Sequence, residues 1–198
     1  MTGGTGGVRV LGVAGSPRRH GNSESLLESS LLAAEDLGAT VDRLIVAEEG
    51  IAPCRGCNAC SLTGACVVSD RMSEIYPRLD AADAIIVASP VYFATVPAVL
   101  KALYDRCQPY WARRYLLHRP VVRRRPGALL LVGGGRDPYG HECAVSTTRS
   151  VFAVLGVDYS DGFFVQADAD PRTNVSQEAL ERAARVGAEV VGEAVARR

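Results

Sequence analysis

The sequence has no excess of either charge: 22 basic residues stand against 22 acidic ones. A global attraction to nucleic acid or to an acidic membrane surface therefore has no source, and neither is expected as a partner. No stretch approaches the roughly 18 consecutive apolar residues of a membrane span. The start, MTGGTGGVRV, has no apolar run behind a basic patch and does not read as a secretory leader. A cytoplasmic setting is expected, where stable disulfides are rare. Internal repeats are absent. Histidine is scarce, and His20, His118 and His141 are solitary. No side chain stands out as a general acid or base, so no catalytic residue is assigned.

What is present is a repeated switch between two apolar periods. The chain is 47% apolar, enough to bury a full core, and its length suggests one domain over residues 1–198. VRVLGVA (8–14), TVDRLIV (40–46), AIIVAS (84–89), ALLLV (128–132) and the stretch near 158–165 read as strands. Their continuous apolar character fits burial on both faces. Between them, Leu26, Leu27, Leu31, Ala34 and Leu37 share one helical face over 23–37. Further helices are expected near 71–79, over 142–155 and from about Ser176. Thr95 is expected to cap another, with Pro97 in its first turn, running to about Arg106. Five β-α repeats predict a parallel sheet with helices on both faces. Ligands of such sheets bind outside the carboxyl ends of the strands.

Three loops at those ends carry the chemistry. The first, GSPRRHGNS (15–23), joins a strand to a helix N-terminus, which offers free N–H groups and a positive dipole end to an anion. Ser16, Asn22 and Ser23 add short donors, and Arg18 adds a bidentate cation for phosphate. The plainer reading, that Asn22 or Ser23 caps the helix, leaves the arginine unexplained. G-x-G-x-x-G and G-x-x-x-x-G-K-[ST] are both missing from this loop, so neither a dinucleotide nor an NTPase site is indicated. The second loop, SPVYFAT (89–95), puts an aromatic pair beside a flat ligand. The third, GGGRDPYGH (133–141), lets backbone approach a ligand closely. Together they frame an elongated site with phosphate at one end and planar rings at the other.

A fourth stretch, PCRGCNACSLTGAC (53–66), holds Cys54, Cys57, Cys60 and Cys66 with the spacing C-x2-C-x2-C-x5-C. A disulfide framework, a zinc site, an iron–sulfur cluster and free redox-active thiols are all open to it. GSPRRHGNS, this run, SPVYF and KALYDR, in that order over residues 8–165, resemble the NADPH-dependent FMN reductase superfamily. Within it they are closest to the iron–sulfur flavoproteins. The resemblance implies a flavodoxin-like α/β fold, a three-layer sandwich around a five-stranded parallel sheet in the order 2-1-3-4-5. It implies FMN held by Ser16, Arg18, Asn22 and Ser23 at the phosphate and by Pro90, Val91, Tyr92 and Phe93 along the ribityl chain and ring. Gly133 and Gly134 would lie at the ring edge. It implies a [4Fe-4S] cluster on the four cysteines, with NAD(P)H or a reduced carrier as electron donor. The tight run itself favours a cluster, since three thiolates can wrap three corners of a cubane while a fourth comes from nearby. Paired zinc knuckles need a longer spacer. Cys107 and Cys143 are expected to be ordinary, partly buried thiols.

Residues 106–126 break the composition: seven arginines, no acid, and Tyr110, Trp111 and Tyr115 among them. A solvated insertion, a subunit interface in a homodimer or homotetramer, and a docking site for an acidic electron carrier or a cofactor phosphate all fit. The expected function is FMN-dependent electron transfer between a donor and an acceptor, small molecule or protein. The alternatives are a cluster-free NAD(P)H reductase of flavin, quinone or nitroaromatic substrates, and a non-catalytic cysteine-based redox or metal sensor.

Overall fold

The structure is a computed structural model, and it describes residues 7–121, 123–135, 137–167 and 175–198. Five parallel strands form one sheet in the order β2-β1-β3-β4-β5. They are β1 (Arg9–Ala14), β2 (Thr40–Ile45), β3 (Ala84–Pro90), β4 (Arg125–Gly133) and β5 (Val157–Gln166). The helices are α1 (Asn22–Asp36), α2 (Cys60–Thr63), α3 (Met72–Ala81), α4 (Ala98–Asp105), α5 (Gln108–Tyr115), α6 (Glu142–Leu155) and α7 (Gln177–Ala196). The expected flavodoxin-like topology is therefore the observed one.

The central strands are apolar on both faces because each face carries a helical layer. Val10, Ala14, Ile86, Leu130 and Val132 pack with Leu27 and Leu31 of α1 and Val186 and Val190 of α7. Leu11, Val13, Ile85, Val87, Leu129 and Leu131 pack on the other side with Ile75, Leu100, Tyr110 and Phe152. α1 and α7 approach so closely that a Cβ on Gly187 would stand 2.0 Å from the Ser30 carbonyl oxygen. Ser30 Oγ seals the contact by donating to the Ala183 carbonyl at 2.8 Å.

Two local expectations need correction. Thr95 does not cap α4: the helix begins at Ala98 behind Pro97, and Thr95 instead closes a tight turn, exchanging backbone hydrogen bonds with Tyr92. The turn is possible because Phe93 and Ala94 both take positive φ, at 49° and 61°. Residues 106–126, in turn, are not simply a solvated insertion. They contain α5, whose Tyr110 and Ala112 are buried, and the first residues of β4. Arg106 and Arg125 lie inside the protein, 1% and 5% exposed.

Candidate functional site

The strand register fixes where the loops emerge. Ala14 pairs with Ile45 on one side and Ala88 on the other, and Pro90 pairs with Val132. The loops after β1, β3 and β4, and the cysteine stretch after β2, therefore leave from one edge. Gly15 N–H ties the first loop to the Ala88 carbonyl at 2.8 Å, and Val91 N–H ties the second to Val132 at 2.8 Å.

The first loop is preset for an anion. α1 is capped by Gly21, with no side chain accepting from its first turn, so neither Asn22 nor Ser23 is used up as a cap. Those N–H groups lack partners within the helix. Ser16 is buried, and its Oγ accepts from Arg18 N–H at 3.0 Å, which leaves the hydroxyl proton free to donate. The two neighbouring arginines have different tasks. Arg19 is held by Glu24 at 2.9 Å and by Glu48. Burial pushes the Glu24 carboxyl up, but Arg19 and the His20 N–H outweigh it and hold it below the ordinary carboxylate range. Arg19 thus offsets the charge of Glu24, the acid of the first turn of α1. Arg18 is exposed, with no ion-pair partner among the described residues.

In the second loop, Pro90 and Val91 are half-buried, Tyr92 is 43% exposed, and Phe93, at the tip of the turn, is 95% exposed. Phe93 thus presents a large apolar ring to solvent from a backbone conformation that residues other than glycine rarely take. In the third, a Cβ on Gly133 would stand 3.0 Å from the Phe164 ring, so any larger residue there presses on that ring. Gly134 faces open space. Arg136 lies outside the described residues. The His141 ring stacks on Phe164 at 4.4 Å beside this glycine, a neighbour that no local pattern in the sequence marks.

All four cysteines of the run are free thiols and line one cavity of about 310 Å3, with Arg106 and Trp111 on its far side. Positive φ at Gly56, Asn58 and Gly64 bends the chain around it. Burial raises the Cys60 pKa, and the charges of Cys66, Cys54 and Cys57 raise it further. Four sulfur donors lining one space are a soft donor set that suits iron–sulfur chemistry. They are gathered without being drawn in: among the described residues no group of three His, Cys, Asp or Glu side chains is close enough to hold a metal ion.

The ends of the cysteine stretch are fastened by a pair that sequence reasoning did not find. Arg106 Nη1 and Nη2 donate to the Asp70 carboxylate at 2.5 and 3.0 Å, and Nη1 reaches the Ala52 carbonyl at 2.8 Å. Asp70 also accepts from Ala52 N–H at 3.0 Å and Met72 N–H at 3.1 Å. Burial pushes Asp70 up, but Arg106 and the two amides prevail and hold it below its ordinary value. Arg113 of α5 donates to the Gly64 carbonyl at 2.7 Å. Of the remaining cysteines, Cys107 is buried and its thiol is pushed up to about 12 by desolvation. Cys143 is exposed rather than partly buried.

Residues 8–169 match the family model described as NADPH-dependent FMN reductase. The chain is 40% identical to an iron–sulfur flavoprotein of Methanosarcina thermophila over 76% of its own length and 75% of that protein's. It is 30% identical to an iron–sulfur flavoprotein of Archaeoglobus fulgidus over 92% and 79%. Among solved structures, a WrbA-like flavodoxin from Agrobacterium tumefaciens superposes with a TM-score of 0.65 at 17% identity, covering 97% of this chain and 100% of that one, which bears on the fold. With the sheet order and the match over most of its length in agreement, the chain belongs to the NADPH-dependent FMN reductase family and is an FMN-dependent oxidoreductase.

Proposed function

We propose that the protein is an iron–sulfur flavoprotein, passing electrons between NAD(P)H or a reduced carrier and a one-electron acceptor. The observation that carries this reading is that four free thiols line one cavity in the stretch that follows β2, at the strand ends from which the flavin loops emerge. In it, Ser16, Arg18, Asn22 and Ser23 hold the FMN phosphate, with Arg18 as the charge partner. Pro90, Val91, Tyr92 and Phe93 lie along the ribityl chain and ring, and Gly133 and Gly134 border its edge. Cys54, Cys57, Cys60 and Cys66 hold a [4Fe-4S] cluster. Bound flavin supplies hydride acceptance and single-electron release, and the cluster supplies one-electron conduction.

The chain's own part is to bind, to shield and to fix separation. Arg19 keeps Glu24 from repelling a phosphate. Phe93 covers a ring face against water. Asp70 and Arg106 hold the cysteine stretch at one distance from the flavin loops. Cytoplasmic reducing conditions suit free thiols. Assembly as a homodimer or homotetramer through the half-exposed Trp111 and Tyr115 belongs to the same reading. A cluster-free NAD(P)H reductase is the second reading, favoured by the spacing of the thiols. Iron and labile-sulfide analysis of anaerobically purified protein separates them: both present in step with flavin support the first, and neither present with intact thiols supports the second.

A further inference from the structure

The arginine-rich stretch contributes to a second cavity, of about 620 Å3, that the flavin loops do not use. Arg125, the first residue of β4, lines it together with Leu155 at the end of α6 and Asp80 near the end of α3. These three residues set one end of the cavity at the opposite edge of the sheet, while Arg113 and Arg119 reach the Gly64 and Thr63 carbonyls of the cysteine stretch. β4 runs from Arg125 to Gly133, so at about 3.3 Å per residue the two edges are some 26 Å apart.

Five arginines line the cavity against one carboxylate. Arg113, Arg114, Arg119, Arg123 and Arg125 face Asp80, and Asp80 is already engaged by Tyr110 Oη at 2.8 Å. Among the described residues only Arg123 has a carboxylate partner, Asp83. Arg113, Arg114 and Arg119 donate to the Gly64, Ala153 and Thr63 carbonyls. Arg125 donates to Leu79, Ala82 and Leu155 at 2.6, 2.6 and 3.1 Å. Main-chain carbonyls satisfy N–H groups but do not neutralise charge. Arg125 is 5% exposed, and its Nε is buried with no hydrogen-bond partner among the described residues. Burial pulls its pKa down. Asp80 and Asp83 offset only part of that burial, no carboxylate forms an ion pair with Arg125 among the described residues, and an anion in the cavity would lower the cost further. The volume is that of a small-molecule site, and Tyr110, Val154 and Leu155 give it an apolar wall.

We infer that this cavity binds a small polyphosphate anion, free or as part of a nucleotide, at a site separate from the flavin. Planar guanidinium groups converging on one space recognise phosphate oxygens in pairs, and several phosphates are needed to meet several arginines.

The test is calorimetric titration of the flavin-loaded protein with inorganic pyrophosphate, ADP and adenosine, in 0.1 M salt without divalent metal. Saturable binding of pyrophosphate, weakened about tenfold or more by Arg114→Ala and by Arg119→Ala and unchanged by Arg18→Ala, is expected. ADP binding more tightly than pyrophosphate identifies a nucleotide, and the reverse identifies free polyphosphate; adenosine binds in neither case. No saturable binding at millimolar pyrophosphate overturns the inference. So does binding that Arg18→Ala abolishes while the Arg114 and Arg119 variants retain it, since the flavin's own phosphate site would then be the source.

Discussion

Asp70→Asn tests whether the cysteine stretch is fastened as described. The substitution keeps the shape of the side chain and removes its charge. Arg106, 1% exposed, then stays buried with no carboxylate beside it, and one acceptor shared by Ala52 N–H and Arg106 Nη1 becomes a donor or is lost. Breaking a buried pair from one side costs about 3–5 kcal/mol, because the remaining charge is uncompensated. For a chain of this size that corresponds to a fall in Tm of about 6–20 °C. Denaturant unfolding followed by far-UV circular dichroism reads the first quantity, and a thermal scan reads the second. Hydrogen exchange should locate the damage: amides of residues 50–70 lose protection, while those of β3 and β4 open only with the whole molecule. Flavin affinity should change little, since none of the proposed FMN-binding residues contacts Asp70 in the hydrogen bonds above. A variant within about 1 kcal/mol of the parent, with unchanged exchange over 50–70, would refute the fastening role.

Arg18→Ala should weaken FMN binding by about 1.5–3 kcal/mol in a flavin titration, the scale of a charge-assisted hydrogen bond; an unchanged affinity removes Arg18 from the site. Asp70 also predicts a pH dependence. Its folded pKa lies below the unfolded value, so its contribution is complete above the ordinary carboxylate range and is lost as pH falls through the folded pKa. The stability gap between the parent and Asp70→Asn should therefore narrow in acid, and a gap independent of pH from 6 to about 2 contradicts this. Trp111→Ala should cost on the order of 2 kcal/mol in self-association by sedimentation if α5 forms the subunit interface. A monomeric parent protein defeats that prediction.

The sheet was legible because its central strands, β1, β3 and β4, are apolar on both faces, a pattern strong enough to survive without knowledge of partners. α5 was not. It is only eight residues long, it begins with Gln108 and Pro109, and the buried Pro109, Tyr110 and Ala112 are too few to show a stripe. The Tyr92–Thr95 turn was missed for a different reason: Phe93 and Ala94 adopt a conformation that usually calls for glycine or asparagine, so the sequence carries no turn signal there. The four cysteines announce themselves by spacing. The pair that fastens their loop does not, since Asp70 and Arg106 are 36 residues apart and each reads locally as an ordinary surface charge. Arg18 and Arg19 show the same limit. They are adjacent and chemically alike, and only the positions of Glu24 and Glu48 decide which is left for a ligand.

Iron, labile sulfide and the visible spectrum, measured on anaerobically purified parent protein and on Cys57→Ser, test the proposed redox pair most directly. The parent should carry about four iron and four sulfide per chain, with broad absorption beneath the flavin bands. Cys57→Ser should lose iron, sulfide and that absorption while keeping its flavin, because the phosphate loop and the thiols are built from separate segments. A parent protein with flavin and intact thiols but neither iron nor sulfide would contradict the cluster and leave the cluster-free reductase in its place.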